Sequence, residues 1–277
     1  MPPDNIPQAD IRGWNYLALS NDDPRKIIAV ALILCLVCAV LVSAAAVLLK
    51  PLQDRNQALA IKRQIISVAG LAAPGADTEQ LFRERISMHI VELDSGAYVD
   101  GIDPQRFDAR AAARDPANSR QLSRDTDIAG IKRRARHAPV YLVQENGRLA
   151  TIILPVHGYG LWSTMYGFLA LAADARTITG ITFYEHAETP GLGDAIVDPD
   201  WQAGFRDKLA FDDEGMPRIT VIKGRVNPGS MEARYQVDGI SGATLTSNGV
   251  ARLLRFWLGN LGFGPYLEQL RATGGTS

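Results

Sequence analysis

Residues 237–250 read VDGISGATLTSNGV, and residues 251–262 continue ARLLRFWLGNLG. Val250, Leu253, Leu254, Trp257, Leu258 and Leu261 recur at helical spacing, the apolar stripe of an amphipathic helix. Gly259 and Gly262 stand where such a helix stops, and Thr246, Ser247 or Asn248 can cap its start. Ser241-Gly242-Ala243-Thr244 therefore falls just upstream of a helix N-terminus, where free backbone N–H groups and the helix dipole favour an anion. Gly242 and Ala243 carry little bulk, so a ligand can approach the backbone. The hydroxyls of Ser241 and Thr244 can donate to phosphate oxygens or be esterified by phosphorus. On pattern alone, a capped turn is the commoner use of so short a Ser/Gly/Thr string.

Upstream, the pattern is one of strands. MHIVELDSGAYVD (88–100) and PVYLVQENGRLATIILPV (139–156) hold apolar runs broken by Ser95-Gly96 and Asn146-Gly147, both hairpin signals. GFLALAADARTITGITFYEH (167–186) reads as two further strands about a polar turn, and ITVIKG (219–224) as another. The stretch from Phe107 to Arg136 is polar and rich in Ala, Arg and Asp, and reads as helix and loop. Asp77 with Gln80 resembles a capping box for a helix through Ile86. HGYGLWSTMYGFLAL (157–171) mixes glycines with Trp162 and Tyr166, as a surface does where a flat ring lies close to backbone; core aromatics are the commoner use. In YEHAETPGLGD (184–194), Thr189-Pro190-Gly191 is a turn signal. His186 and Glu188 would share a strand face, but two such groups do not define a metal site. No Ser-His-Asp arrangement, Walker loop or dinucleotide fingerprint can be argued from spacing.

Before these strands, Ile27–Leu49 is a run without a charged residue. At about 1.5 Å per residue it can cross a hydrocarbon core of about 30 Å. Arg25, Lys26 and Lys50 flank it as snorkelling residues, and Pro51 is read as its stop. A cleaved signal peptide is the rival, but its apolar core is usually about 7–15 residues, and Asp4, Asp10, Asp22 and Asp23 do not suit a basic leader. A retained anchor is expected, and a helix from about Leu52 to Leu71 after it. Arg12, Arg25 and Lys26 on one side oppose Lys50, Arg55, Lys62 and Arg63 on the other, so charge does not orient the span. Both cysteines, Cys35 and Cys38, lie inside it and read as small apolar-environment residues. With 277 residues, net charge −1 and 47% hydrophobic residues, the chain can bury a sizeable core and gives no reason to expect nucleic acid. The basic run Lys132-Arg133-Arg134-Ala135-Arg136-His137 reads as a solvated loop or helix face, since no aromatic stacking platform accompanies it in sequence. The expected fold is α+β: one N-terminal transmembrane helix followed by a soluble domain with a largely antiparallel sheet.

Taken in order, the span, HGYGLWSTMYGFLAL, GITFYEHAETPGLGD, VDGISGATLTSNGV and RFWLGNLGFGPYL resemble the C subunits of bacterial Na+-translocating NADH:quinone reductases over most of the chain after the span. The resemblance implies an FMN-binding domain whose cofactor is joined through its phosphate to a threonine. The acceptor motif Asp-x-x-Ser/Thr-Gly-Ala-Thr falls on Asp238, Ser241, Gly242, Ala243 and Thr244, which makes Thr244 the attachment site. Leu161, Trp162, Ser163 and Thr164, with Glu188, Thr189, Gly191 and Leu192, are expected to contact the flavin. The family often has a basic residue where Tyr159 stands, and GLGGE where this chain has GLGDA from Gly191. The resemblance further implies a flavin transferase that uses FAD, five partner subunits (A, B, D, E and F), and a single-pass place in the inner membrane. Residues 1–26 would be cytoplasmic, 27–49 the span and 50–277 periplasmic. Electrons would pass from NADH through FAD and iron–sulfur centres to this flavin, then to the FMN of the B subunit and to ubiquinone, coupled to Na+ export. Two alternatives stand beside it: the G subunit of an Rnf-type complex, which also carries threonine-linked FMN, and a non-redox membrane-anchored ligand-binding protein.

Overall fold

The computed structural model describes residues 20–73 and 75–273. Residues 1–19, with Asp4, Asp10 and Arg12, lie outside the described residues, as do Pro74 and 274–277. Helix α1 spans Pro24–Val68 and contains Pro51 in its interior. The expected stop at Pro51 is thus corrected, since one helix runs through it, and the helix expected from about Leu52 is the continuation of α1 to Val68. Proline removes a single N–H from the ladder, and hydrogen bonding resumes on both sides. Strong helix formers on either flank (Leu48, Leu49, Lys50; Leu52, Gln53) favour continuation. The apolar stretch of α1 is exposed. Among the described residues it is the one helix long and apolar enough to cross a membrane. Cys35 and Cys38 are exposed free thiols upon it.

The chain divides into two compact units between Ala58 and Leu59. Within the second, the end of α1 is followed by α2 (Thr78–Arg85), capped by Asp77, whose carboxylate accepts from Glu79 and Gln80 N–H. Gln80 turns its side chain to Glu84 instead of back to the cap, so only one arm of the expected box forms. Ile86 is already extended and opens β1 (Ile86–Glu92). Next come α3 (Ala109–Arg114), β2 (Ser119–Gln121), β3 (Arg133–Ala135), β4 (His137–Glu145), β5 (Arg148–Tyr159), β6 (Thr164–Ala172) and β7 (Ile178–Glu185). Helix α4 (Pro199–Ala203), β8 (Thr220–Val221), β9 (Gln236–Val237), α5 (Thr244–Leu258) and α6 (Gly264–Ala272) complete the order.

The main sheet has order β1-β4-β5-β6-β7 and is antiparallel throughout. Asn146 and Gly147 join β4 to β5 with φ of 53° and 74°, the two left-handed positions that match the strand twist. Alternation along β5 separates two cores. Ile152, Leu154 and Val156 join the large cluster with Val250, Leu253 and Leu254 of α5. Ile153 joins the smaller one with Ile65, Ile66, Tyr141 and Phe168. Burying each such α5 side chain is worth about 1.5–3 kcal/mol, which makes this helix the main cover of the sheet.

Three local expectations change. ITVIKG yields only the two residues of β8, paired parallel with the equally short β9. The Phe107–Arg136 stretch holds α3 but also the small β2–β3 sheet. The basic run is not a solvated face as a whole: the Arg134 side chain is buried, donating to Asp94 Oδ1 at 2.5 Å and to the Leu261 carbonyl at 2.6 Å. That guanidinium ties β3 to the turn after β1 and to the α5–α6 connection.

Candidate functional site

Helix α5 begins earlier than its candidate caps suggest. Ala243 is its N-cap, and no side chain caps it. Thr246, Ser247 and Asn248 lie inside the helix, and both hydroxyls among them are used elsewhere. Ser247 Oγ accepts from Ile240 N–H at 3.0 Å. Thr246 is 1% exposed and donates to Glu188 Oε2 at 2.6 Å. Thr244, by contrast, is exposed at the first helical position, beside exposed Ser241 and Gly242. The free N–H groups of an uncapped first turn remain available there to an anion.

The small residues upstream serve the turn as well as access. Residues 240–243 close a tight turn, with Ala243 N–H bonded to the Ile240 carbonyl and Gly242 at φ 76°. A Cβ on Gly242 would also stand 2.9 Å from Leu192 Cδ2. Ala243 is buried in the core. Asp238 fastens a neighbouring loop and helix α4: its carboxylate accepts from Val226 N–H at 2.7 Å, and its carbonyl from the Trp201 indole at 2.9 Å.

Glu188 is the hub that joins the three segments. Only 4% exposed, it accepts from the backbone N–H groups of Leu161, Trp162 and Ser163 at 3.1–3.3 Å and from Thr246. Burial alone would raise its pKa. The hydrogen bonds from Thr246, Trp162, Leu161 and Ser163 outweigh burial and hold the carboxyl below its ordinary value. A second set of bonds closes the same junction. Ser163 Oγ accepts from Ala187 N–H at 2.7 Å, and Trp162 Nε1 donates to Thr189 Oγ1 at 3.1 Å. Gly191, at φ 75°, completes the turn that returns Leu192 N–H to the Thr189 carbonyl. Thr164 opens β6 directly after this junction. His186 Nδ1 accepts from Glu188 N–H.

The structure thus brings the 161–164, 188–192 and 241–244 segments to one place. Trp162, Leu192 and Leu245 expose large apolar side chains there, at 64%, 44% and 55%. An exposed indole and two leucines beside an exposed hydroxyl at a helix N-terminus suit a flat ring carried on a phosphate. Leu245, and the buried role of Thr246, are not legible as site features: neither carries a chemical signature in sequence. Among the described residues no group of three or more His, Cys, Asp or Glu could hold a metal ion.

Residues 160–259, which contain these segments, match the FMN-binding domain family. The C subunit of the Na(+)-translocating NADH-quinone reductase of Pseudomonas aeruginosa is 48% identical over 255 residues, covering 91% of this chain and 98% of that relative. The corresponding protein of Vibrio vulnificus is 46% identical over 92% of this chain and 98% of its own length. The crystal structure of Shewanella oneidensis NqrC superposes with a TM-score of 0.71 at 36% identity, over 76% of this chain and 96% of that one. That of the C subunit from Parabacteroides distasonis gives 0.61 at 28% identity, over 79% and 96%. The exposed threonine at the start of α5, the matched domain around it and near-full-length likeness to these relatives agree: the chain belongs to the C subunits of the Na(+)-translocating NADH-quinone reductases and contains their FMN-binding domain.

Proposed function

We propose that this protein carries FMN esterified through its phosphate to Thr244 and relays electrons with it inside the membrane complex. The observation that carries the assignment is the contrast between the two threonines of α5. The Thr244 hydroxyl is exposed at the uncapped helix start, whereas that of Thr246 is buried against Glu188. A transferase using FAD would form the Thr244 Oγ–P bond as the bond to the AMP leaving group breaks, with the hydroxyl proton passing to a base. The residues left around the ester do three things. The first-turn N–H groups of α5 face the phosphate. Trp162, Leu192 and Leu245 offer apolar surface to the ring, with Leu161, Ser163, Thr164, Thr189 and Gly191 as the surrounding wall. Glu188 stands behind that wall and positions it. The bound cofactor supplies the redox chemistry, and the protein supplies place and electrostatics.

In the same reading residues 27–49 span the inner membrane once, residues 1–26 are cytoplasmic and 50–277 periplasmic. The exposed apolar stretch of α1 supports the span. The partners are the A, B, D, E and F subunits. Electrons arrive through FAD and iron–sulfur centres and leave toward the FMN of the B subunit and ubiquinone, coupled by the complex to Na+ export. The test is flavin attachment in cells that supply the transferase, read by in-gel fluorescence after denaturation and by peptide mass mapping. Thr244→Ala should fold and insert but carry no flavin. Thr246→Ala should keep a flavin mass on the Thr244 peptide. A flavin that persists in Thr244→Ala would overturn the assignment.

A further inference from the structure

A second concentration of chemistry adjoins the Thr244 surface, which it meets at Thr164 and at Tyr159, whose hydroxyl donates to the Trp162 carbonyl at 3.2 Å. A cavity of about 430 Å³ is bounded by α3, by residues 130–133 and by the ends of β5, β6 and β7. Four cationic side chains, those of Arg110, Arg114, Lys132 and Arg133, line it together with three tyrosines, and no carboxylate does. The basic run that lacks an aromatic platform in sequence therefore acquires one in space.

The platform is held by several contacts. The Arg110 guanidinium lies 3.6 Å over the Tyr166 ring and is held by two bonds to Glu185, at 3.0 and 2.8 Å. Tyr166 in turn stacks on His157 with centroids 5.3 Å apart and planes within 19°. A guanidinium held over one ring can stack a second planar ring on its other face. Tyr159, 46% exposed, adds an aromatic wall.

Among the described residues the other three cationic side chains enter no ion pair. Arg133 bonds to Ser119 and Gln121, both neutral. Among the described residues the side chains of Arg114 and Lys132 enter no ion pair or hydrogen bond. Of the nearby carboxylates, Glu185 is paired with Arg110, while Asp108 and Asp127 accept backbone N–H groups of α3 and of Ile131 and Lys132 and keep their negative charge outside the cavity lining. Lys132 itself sits at φ 63°, a conformation that costs a residue with a Cβ stability and a glycine nothing. A lysine there spends stability to place charge at the cavity.

We propose that this cavity is a binding site for a planar ring bearing a phosphate, of nucleoside monophosphate size. The ring would stack on Arg110, and the phosphate would meet Arg114, Lys132 and Arg133. Its volume falls within the range of small-ligand sites, about 300–1,000 Å³, and bidentate or clustered Arg/Lys contacts are the usual means of holding phosphate. The proposal stands independently of flavin attachment at Thr244.

The test is calorimetric titration of the detergent-solubilised full chain with AMP, alongside adenosine, inorganic phosphate and a hexaglutamate peptide. Saturable one-to-one AMP binding is expected. It should weaken roughly tenfold or more in a combined Arg114→Ala, Lys132→Gly variant, and weaken with added salt. Lys132→Gly relieves the left-handed backbone, so its melting temperature should be no lower than that of the parent, which separates lost binding from lost folding. Adenosine and phosphate should each bind at least roughly tenfold more weakly than AMP. Absence of saturable AMP binding, AMP binding unchanged in the variant, or tighter binding of hexaglutamate than of AMP would each overturn the proposal. The last outcome would reassign the cavity to an acidic peptide.

Discussion

Glu188 has four donors converging on one buried carboxylate, and no local pattern reveals it. Its partners lie 25–27 and 58 residues away, so its role appears only once the chain is folded. Thr244 differs in this respect, because its motif is contiguous and its helix start is local. Glu188→Gln places an amide among N–H donors and should cost about 1–3 kcal/mol, read as a lower denaturation midpoint. The folded carboxyl lies below its ordinary 4.5. Its contribution is therefore complete above that value and is lost as pH falls through the folded pKa. The parent should lose more melting temperature than Glu188→Gln between about pH 6 and about pH 3; parallel curves would contradict this. His157 should behave as a second acid-sensitive group. Burial first, and the Arg110 charge second, push its pKa from 6.5 down to about 4. The unfolded chain then binds a proton that the folded one does not, so stability declines as pH falls across that window. An imidazole that titrates near 6.5 by NMR in the folded chain would refute it.

At the scale of elements, α5 carries the site at its first turn and the core contact along its length. Its approach to the β5–β6 hairpin depends on two glycines facing each other. A Cβ on Gly249 would stand 2.9 Å from both Gly160 Cα and the Tyr159 carbonyl oxygen. Gly249→Ala should push the helix outward at a cost of about 1–3 kcal/mol. It should also lower flavin loading in transferase-supplied cells, because the hairpin that presents Trp162 moves with it. Full loading at unchanged stability would show that the packing yields freely. Elements of this kind are legible because their signals are local: a helical stripe for α5, Asn146-Gly147 for the β4–β5 hairpin, Thr189-Pro190-Gly191 for the return turn. Strands β2, β3 and β9 are not, and β8 is legible only as a longer strand than it is. They are two or three residues long, and pairing in space, not alternation in sequence, defines them. Pro51 misleads about the length of α1 for a related reason: it signals a lost hydrogen bond, and the flanking helix formers outweigh it.

For the whole molecule, the division between Ala58 and Leu59 leaves both hydrophobic clusters in the second unit. Residues 59–277 expressed alone should therefore be soluble and unfold in one cooperative step, measured by circular dichroism and size exclusion. Aggregation of that fragment under all export conditions would count against an independent domain. The junction at Glu188 also has a consequence for the order of events during biogenesis. It unites segments that leave the ribosome far apart, and loops of that span close only as the sheet itself forms. Before then, Thr244 belongs to an unstructured stretch with neither helix start nor hairpin beside it. Under the proposed attachment, the modifying enzyme meets a finished surface rather than a linear peptide, so maturation runs in sequence: fold first, esterify second. A pulse-chase should show flavin label entering only the protease-resistant population, and label entering nascent, protease-sensitive chains would reverse that order.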